Sequence, residues 1–302
     1  MFLIFVGLLE IIAYGVLIKS YWFAFEAAAA NNQKIVDLFK VEHFDKKNYN
    51  KYFRTPTIKK DSKKGDILVF GCSYAEGHGL KNEETFEYKL ANYTNRTVYN
   101  RGLGGQGPQL MLYQLRDPNF KNVVPNADYI IYIFIEDHFN RLYKHRNWPF
   151  LNLVSVKYDL VGDKLIENEL NYPWGYSAII RFYEEQRTNN YSQEEKEELL
   201  LKILEESHKK SKELYPNSKF FILNYPQGVF ITDKTSPVRH QYMFSENFKT
   251  GINKIGIKTI NADELTSGKI IDKKYQISGY DDHPNSQAWD LIVPLIAKKI
   301  NL

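Results

Sequence analysis

Residues 66–79, DILVFGCSYAEGHG, form the stretch that decides the fold. The first half is an apolar run that fits a strand buried on both faces, and Gly71 interrupts the run just before Ser73. The pattern behind Ser73 predicts a helix, so this serine stands at a strand-to-helix turn. Unpartnered helix N–H groups at such a turn can hold the oxyanion that forms when a serine attacks an acyl group. Ser73 is therefore either a nucleophile or an ordinary helix N-cap, a position that serine also favours.

Composition points to one main globular domain and gives no indication of nucleic-acid binding. The 302 residues are 43% hydrophobic and carry a formal net charge of only +4, with lysines interspersed among acidic residues. The single cysteine, Cys72, excludes an internal disulfide and a cysteine-rich metal site. Cys72 is also a rival nucleophile beside Ser73, but its place on the strand predicts that it points toward the core.

The N-terminal segment is apolar enough to cross a membrane. Residues 1–25, MFLIFVGLLEIIAYGVLIKSYWFAF, contain two charges, Glu10 and Lys19, and end in an aromatic cluster. The segment lacks a basic start and a small-residue cleavage site, which favours a retained anchor over a cleaved signal peptide. We expect the remaining chain to lie outside the cytoplasm, in the periplasm or at the cell surface of a bacterium. The alternative is an amphipathic helix packed on the domain.

The rest of the chain alternates strands and helices, which indicates a mainly parallel α/β sheet. Residues 26–64 are predicted to be a short helix and a linker without chemistry, and residues 65–302 to be the functional domain. Its expected strands are 66–70, 97–100, 129–135, 219–224 and 258–261, and its expected helices are 84–93, 111–115, 193–214, 245–250 and 286–300. A capping box, Ser192 with Glu195, opens the longest helix.

The periodicity is weak over residues 144–191. This part is predicted to be an insertion that covers the site as a cap, with a β-hairpin around Val161-Gly162-Asp163.

Two polar or glycine-rich clusters follow predicted strands. Residues 100–109, NRGLGGQGPQ, hold four glycines that let backbone N–H groups approach a ligand. A phosphate cradle is the competing interpretation, but the segment matches neither the P-loop nor the full dinucleotide pattern. Glu136, Asp137 and His138 follow the strand 129–135 at the carboxyl edge of the sheet, where open α/β sheets bind ligands.

A histidine close to the C-terminus supplies a candidate base. His283 precedes Pro284 and the last helix, and it follows Asp281 and Asp282. A histidine can take the proton of a serine, and a nearby carboxylate can fix the histidine tautomer. The spacing alone does not decide which aspartate does this.

Together these blocks resemble those of the SGNH, or GDSL-like, hydrolase family over roughly residues 64–302. Gly71-Cys72-Ser73 is similar to the first block, with cysteine where aspartate is usual. Residues 100–105 are similar to the second block and residues 281–285 to the last. The resemblance implies a flavodoxin-like three-layer α/β/α sandwich, with Ser73 as nucleophile, His283 as base and Asp281 as orienting acid. It also implies an oxyanion hole made by the N–H groups of Ser73 and Gly105 and a side chain of the third block.

The third block departs from the family pattern. Where the family usually has Gly-x-Asn-Asp, this chain has Ile135-Glu136-Asp137-His138. Asp137 stands at the position of the oxyanion asparagine, and an ionised carboxylate there would repel an oxyanion. Asp137 therefore points elsewhere, is protonated, or leaves the donor role to His138, and we prefer the last of these. The commoner Asp-x-x-His spacing is also absent, since Tyr280 stands three residues before the histidine.

These features predict a membrane-anchored serine esterase that removes short acyl groups from an extracytoplasmic carbohydrate or lipid-linked substrate. Its partners would be an ester-bearing small molecule or glycan and, through the N-terminal helix, the membrane. The resemblance implies neither a metal nor an organic cofactor. One alternative is an O-acyltransferase acting on a glycan, and another is a non-catalytic glycan-binding or assembly protein that keeps the fold.

Overall fold

The computed structural model describes residues 53–59, 65–143, 156–168, 190–229, 238–278 and 281–302. Their strands are β1 Ile67–Gly71, β2 Val98–Gly102, β3 Tyr129–Phe134, β4 Lys157–Val161, β5 Lys164–Asn168, β6 Lys219–Asn224, β7 Gln227–Val229, β8 Val238–His240 and β9 Lys258–Asn261. Five of them form one sheet in the order β2-β1-β3-β6-β9, and every neighbouring pair is parallel. The predicted parallel α/β sheet is confirmed.

Within the described residues the six predicted helices are present in order, together with three short helices that were not predicted. They are α1 Ser73–Glu76, α2 Phe86–Thr94, α3 Pro108–Arg116, α4 Phe120–Val123, α5 His138–Arg141, α6 Gln193–Leu214, α7 Glu246–Lys254, α8 Ala262–Leu265 and α9 Ser286–Ile300. The predicted capping box of α6 is confirmed, because Ser192 N donates to Glu195 Oε2 at 2.6 Å and Glu195 N donates to Ser192 Oγ at 3.2 Å. Helix α3 begins three residues earlier than predicted, with Pro108 at a position that tolerates proline.

Two hydrophobic cores lie on opposite faces of the sheet. Along β3, Ile130, Tyr132 and Phe134 belong to one core, and the residues between them belong to the other. This is the alternation that a strand buried on both faces requires. Helices α3, α6 and α7 cover the first core, and α2 and α9 cover the second. The described residues therefore form three layers, helix on sheet on helix.

One part of the predicted cap is described. Strands β4 and β5 form an antiparallel hairpin in which Val161 pairs with Lys164, and Gly162 in the turn has φ 58°. The predicted hairpin is confirmed, and its glycine supplies the positive φ that a two-residue hairpin turn needs. Most of the remaining insertion, residues 144–155 and 169–189, lies outside the described residues.

The predicted membrane anchor, residues 1–25, also lies outside the described residues. Within the described ranges, every helix falls short of the length or the hydropathy needed to cross a bilayer.

Residues 53–59, which belong to the predicted linker, are docked on the domain. Thr57 exchanges both backbone hydrogen bonds with Val98, at 3.0 and 3.1 Å, as an antiparallel bridge on the edge strand β2. Paired backbone groups at a sheet edge remove a site where another chain could add.

Candidate active site

Ser73 occupies the first position of α1, two residues beyond the end of β1. The turn requires glycine at position 71, where φ is 152° and a Cβ atom would lie 2.8 Å from Ala75 Cβ and 2.9 Å from the carbonyl oxygen of Ile133. Cys72 has no exposed surface, whereas Ser73 is partly exposed. The serine is thus presented at the carboxyl edge of the sheet, and the rival thiol lies in the core.

The structure brings Ser73, His283 and Asp281 together, although Ser73 and His283 lie 210 positions apart. His283 Nε2 lies 2.7 Å from Ser73 Oγ, and His283 Nδ1 lies 2.6 Å from Asp281 Oδ1. The same Asp281 oxygen accepts the backbone N–H of His283 at 3.0 Å. An aspartate that accepts from the residue two positions on forms an Asx turn, so the Asp-x-His spacing lets one oxygen hold both the ring and the backbone of the histidine.

Asp282 is held in a different direction. Its Oδ2 accepts hydrogen bonds from Tyr74 Oη at 2.5 Å and from Gly228 N at 2.7 Å. Asp281 is therefore the carboxylate that orients the histidine. Asp281, Asp282 and His283 also place ligand atoms within 4.8 Å of one another, which is close enough for a metal ion, but protein groups already bind a ligand atom of each.

His283 and Asp281 each shift the pKa of the other. Burial lowers the pKa of His283, but the hydrogen bond and charge of Asp281, together with the charge of Asp282, leave that pKa above its ordinary value of 6.5. Burial raises the pKa of Asp281, yet the hydrogen bond and charge of His283 bring it down to about 2. Asp281 therefore stays ionised at neutral pH, and neutral His283 has Nε2 available to accept the proton of Ser73.

We expect kcat/KM for ester hydrolysis to fall as the pH is lowered through the pKa of His283. The protonated imidazole cannot accept the serine proton, so activity is present above that pKa and lost below it. A profile of kcat/KM from about pH 4 to about pH 9 should show an acid limb of slope about one, with an apparent pKa above the ordinary histidine value. A flat profile, or a limb in the carboxylate range, would contradict the assignment of His283 as the base.

The glycine loop after β2 packs directly against the serine turn. A Cβ atom built on Gly104 would lie 3.8 Å from Ser73 Cβ, and Gly104 N donates to Glu76 Oε2 at 2.6 Å. Gly105, the next residue, has φ 71°. The loop is therefore close to the place where an oxyanion would form, and the N–H groups of Ser73 and Gly105 stay the predicted oxyanion donors.

The structure does not support His138 as the third oxyanion donor. This side chain has no exposed surface, and its Nδ1 lies 2.7 Å from Tyr132 Oη inside the core. The ring also packs edge-on against Phe134. Burial holds the pKa of His138 well below its usual range, so this residue is a neutral core histidine. It opens α5 directed toward the core, an orientation that a polar cluster in the sequence does not reveal.

Asp137 points elsewhere, which is the first of the three options for this residue. Its Oδ2 accepts from Arg141 Nε at 2.8 Å and lies 2.7 Å from Arg141 Nη2. Arg141 is buried, and its Nη1 donates to the carbonyl oxygen of Gln106 at 2.8 Å. The ion pair neutralises the carboxylate and ties the third block to the residue that follows Gly105. The i, i+4 spacing of an acid and an arginine is the sequence signal that could have indicated this pair.

Two aromatic neighbours of His283 were not predicted. The ring of Tyr74 lies 4.9 Å from the His283 ring, and the ring of His78 lies 4.8 Å from it, measured between centroids. Burial, reinforced by the charge of His283, lowers the pKa of His78 to about 4, so His78 is neutral at the pH where the base works. Both residues follow Ser73 within five positions, so the turn that carries the serine also carries two rings that pack against His283.

A scan against protein-family models and a search of curated proteins both found no match. Forty solved chains are similar in structure. One is a member of the lipolytic protein G-D-S-L family from Veillonella parvula DSM 2008, with 12% identity, a TM-score of 0.38, and coverage of 78% of this chain and 97% of that one. A second is the lipase Lip_vut3 from a goat rumen metagenome, with 13% identity, a TM-score of 0.43, and coverage of 77% and 96%.

A third is the acetyl xylan esterase Est2A from the rumen bacterium Butyrivibrio proteoclasticus. It has 13% identity and a TM-score of 0.42, and the match covers 78% of this chain and 64% of that one.

Proposed function

We propose that this protein is a serine esterase in which Ser73 is the nucleophile, His283 the general base and Asp281 the orienting acid. The observation that carries the proposal is the hydrogen-bonded chain Ser73 Oγ–His283 Nε2–His283 Nδ1–Asp281 Oδ1, with links of 2.7 and 2.6 Å. A nucleophile, a base and a group that orients the base, each within hydrogen-bond reach of the next, are the arrangement that acyl transfer through a covalent intermediate needs.

The reaction follows from this geometry. Ser73 Oγ attacks the ester carbonyl carbon and passes its proton to His283 Nε2, while Asp281 stabilises the imidazolium. The carbonyl oxygen becomes an oxyanion that the predicted donors, the N–H groups of Ser73 and Gly105, would bind. The tetrahedral intermediate then collapses, and the departing alcohol takes the proton from His283. Water attacks the acyl-enzyme, again with His283 as base, and releases the carboxylic acid.

The proposed setting combines this site with the apolar N-terminus. We place the enzyme on a bacterial membrane through residues 1–25, with the site outside the cytoplasm and short acyl esters of a carbohydrate or a lipid-linked molecule as substrates. The intact triad favours catalysis over the non-catalytic alternative, because such a binding protein has no need of a base aligned on the serine within 2.7 Å.

Covalent labelling tests the proposal directly. The full chain should react with a fluorophosphonate probe at one site, and peptide mass spectrometry should find the adduct on Ser73. Ser73→Ala should not be labelled, whereas Cys72→Ala should keep the label because the buried thiol takes no part. The parent protein should also hydrolyse p-nitrophenyl acetate. Labelling on Cys72, or an unlabelled and inactive parent protein, would contradict the proposal.

A further inference from the structure

A single arginine from the segment that precedes the domain binds the turn that carries Ser73. Arg54 Nε donates to the carbonyl oxygen of Glu76 at 2.5 Å, and its Nη2 donates to those of Gly77 and Leu80 at 2.8 and 3.1 Å. Its Nη1 donates to Asn82 Oδ1 at 2.5 Å. The guanidinium group therefore links the last residue of the nucleophile helix, Glu76, to three residues that lie between this helix and α2.

The carbonyl groups of Glu76 and Gly77 stand at the C-terminal end of the short helix α1; Gly77 O also accepts Leu80 N at 3.1 Å, whereas Arg54 supplies a donor to Glu76. A four-residue helix cannot hold its own orientation, and the last carbonyl groups of any helix have no partner within it. Gly77 ends α1 in the left-handed conformation, with φ 80°. A guanidinium group suits this end, because its planar fork of N–H donors can bind several carbonyl oxygens and its charge is favourable at a helix C-terminus.

The turn bound by Arg54 is hydrogen-bonded directly to the nucleophile. The backbone N–H groups of Gly77 and His78 both donate to the carbonyl oxygen of Ser73 at 3.0 Å. The same turn carries His78, whose ring lies against His283, and Glu76, whose carboxylate holds the N–H of Gly104. A displacement of this turn would therefore move the nucleophile, a neighbour of the base and the glycine loop together.

Independent contacts fix the segment that carries Arg54. The guanidinium carbon of Arg101 lies 3.7 Å from the ring centroid of Phe53, and Thr57 pairs with Val98 on β2. Lys59 N donates to Thr97 Oγ1 at 3.0 Å. Arg54 is thus held on both sides along the chain, and its guanidinium group contacts the turn from a segment that is docked on the domain.

We propose that Arg54 is a positioning residue for the esterase reaction, and that the contacts of Phe53 and Thr57 with the domain hold its guanidinium group against the serine turn. This inference rests on the proposed function. It implies that this segment acts on the active site through the Arg54 side chain, so that loss or displacement of the Arg54 guanidinium group changes turnover.

The test compares Arg54→Ala with a matched control, Lys59→Ala, in the full chain. Lys59 lies in the same segment, and its Nζ contacts Asn92, away from the serine turn. We expect Arg54→Ala to lower kcat for p-nitrophenyl acetate by about 10- to 100-fold with a much smaller change in KM, because a small misplacement of reacting groups costs this much. Lys59→Ala should keep the parent kcat. Arg54→Lys should recover little, since an ammonium group cannot bind several carbonyl groups in one plane.

Two further measurements separate positioning from general destabilisation. Guanidinium ions, at concentrations too low to unfold the protein, should restore part of the kcat of Arg54→Ala and leave the parent and Ser73→Ala unchanged. Hydrogen exchange should be faster at the amides of Gly77 and His78 in Arg54→Ala and unchanged in Lys59→Ala. A kcat equal to that of the parent, or a loss that guanidinium does not restore and that is accompanied by faster exchange throughout the domain, would overturn the inference. A parent protein that hydrolyses no ester would instead overturn the proposed function, and the local exchange result would still decide whether Arg54 holds the turn.

Discussion

Ser73→Ala and His283→Ala are each expected to lower kcat for p-nitrophenyl acetate by about 10⁴- to 10⁶-fold. The two side chains act as one unit, because the hydroxyl becomes a nucleophile only when Nε2, 2.7 Å away, takes its proton. Removing either partner abolishes the same step. Whatever activity remains would come from binding and from the backbone donors near the serine, which both variants keep.

The double variant, Ser73→Ala with His283→Ala, provides the sharpest control. If the pair acts as a unit, the double variant should be about as active as each single variant, with no further loss. Cys72→Ala should keep nearly the parent kcat, since burial raises the pKa of that thiol and keeps it in the unreactive form. Independent losses that multiply in the double variant, or a Ser73→Ala variant as fast as the parent, would disprove the shared step.

The middle of the sheet could be predicted because its central strands are buried on both faces. Such strands are continuous apolar runs, and this pattern locates β1, β3 and β6 to within one residue. The order of strands and helices then predicted which polar residues follow a strand, and Ser73 was found in this way. The pairing of Ser73 with His283, 210 positions away, rested on the resemblance to the hydrolase family, because His283 lies in the loop before α9 and follows no strand directly.

The orientation of individual side chains could not be predicted. At the end of β3, three polar residues in succession suggested a functional cluster, yet His138 turns into the core and Asp137 pairs with Arg141. A local sequence pattern does not show which of these neighbouring side chains faces the carboxyl edge of the sheet. The role of Arg54 was missed for a related reason, since a polar stretch without periodicity looks like a linker until its backbone is seen paired with β2.

Asp281→Asn is expected to lower kcat by about 10⁴-fold, whereas Asp282→Asn should lower it by less than about tenfold. The carboxylate of Asp281 accepts the Nδ1–H of His283 and so keeps Nε2 unprotonated toward Ser73. An amide NH₂ in its place can donate to Nδ1, which favours the tautomer whose Nε2 carries the proton and cannot accept another.

The neighbouring aspartate makes a closely matched control, because both variants lose one negative charge beside the same histidine. Asp282 accepts from Tyr74 and Gly228, and it raises the pKa of His283 by its charge alone. Asp282→Asn should therefore move the acid limb of the pH profile slightly to lower pH while kcat at high pH stays close to that of the parent. A hydrogen bond that sets the tautomer predicts a large loss in one variant only, whereas a purely electrostatic role predicts similar losses in both. Equal losses in the two variants would remove Asp281 from the catalytic chain and leave His283 oriented by its surroundings.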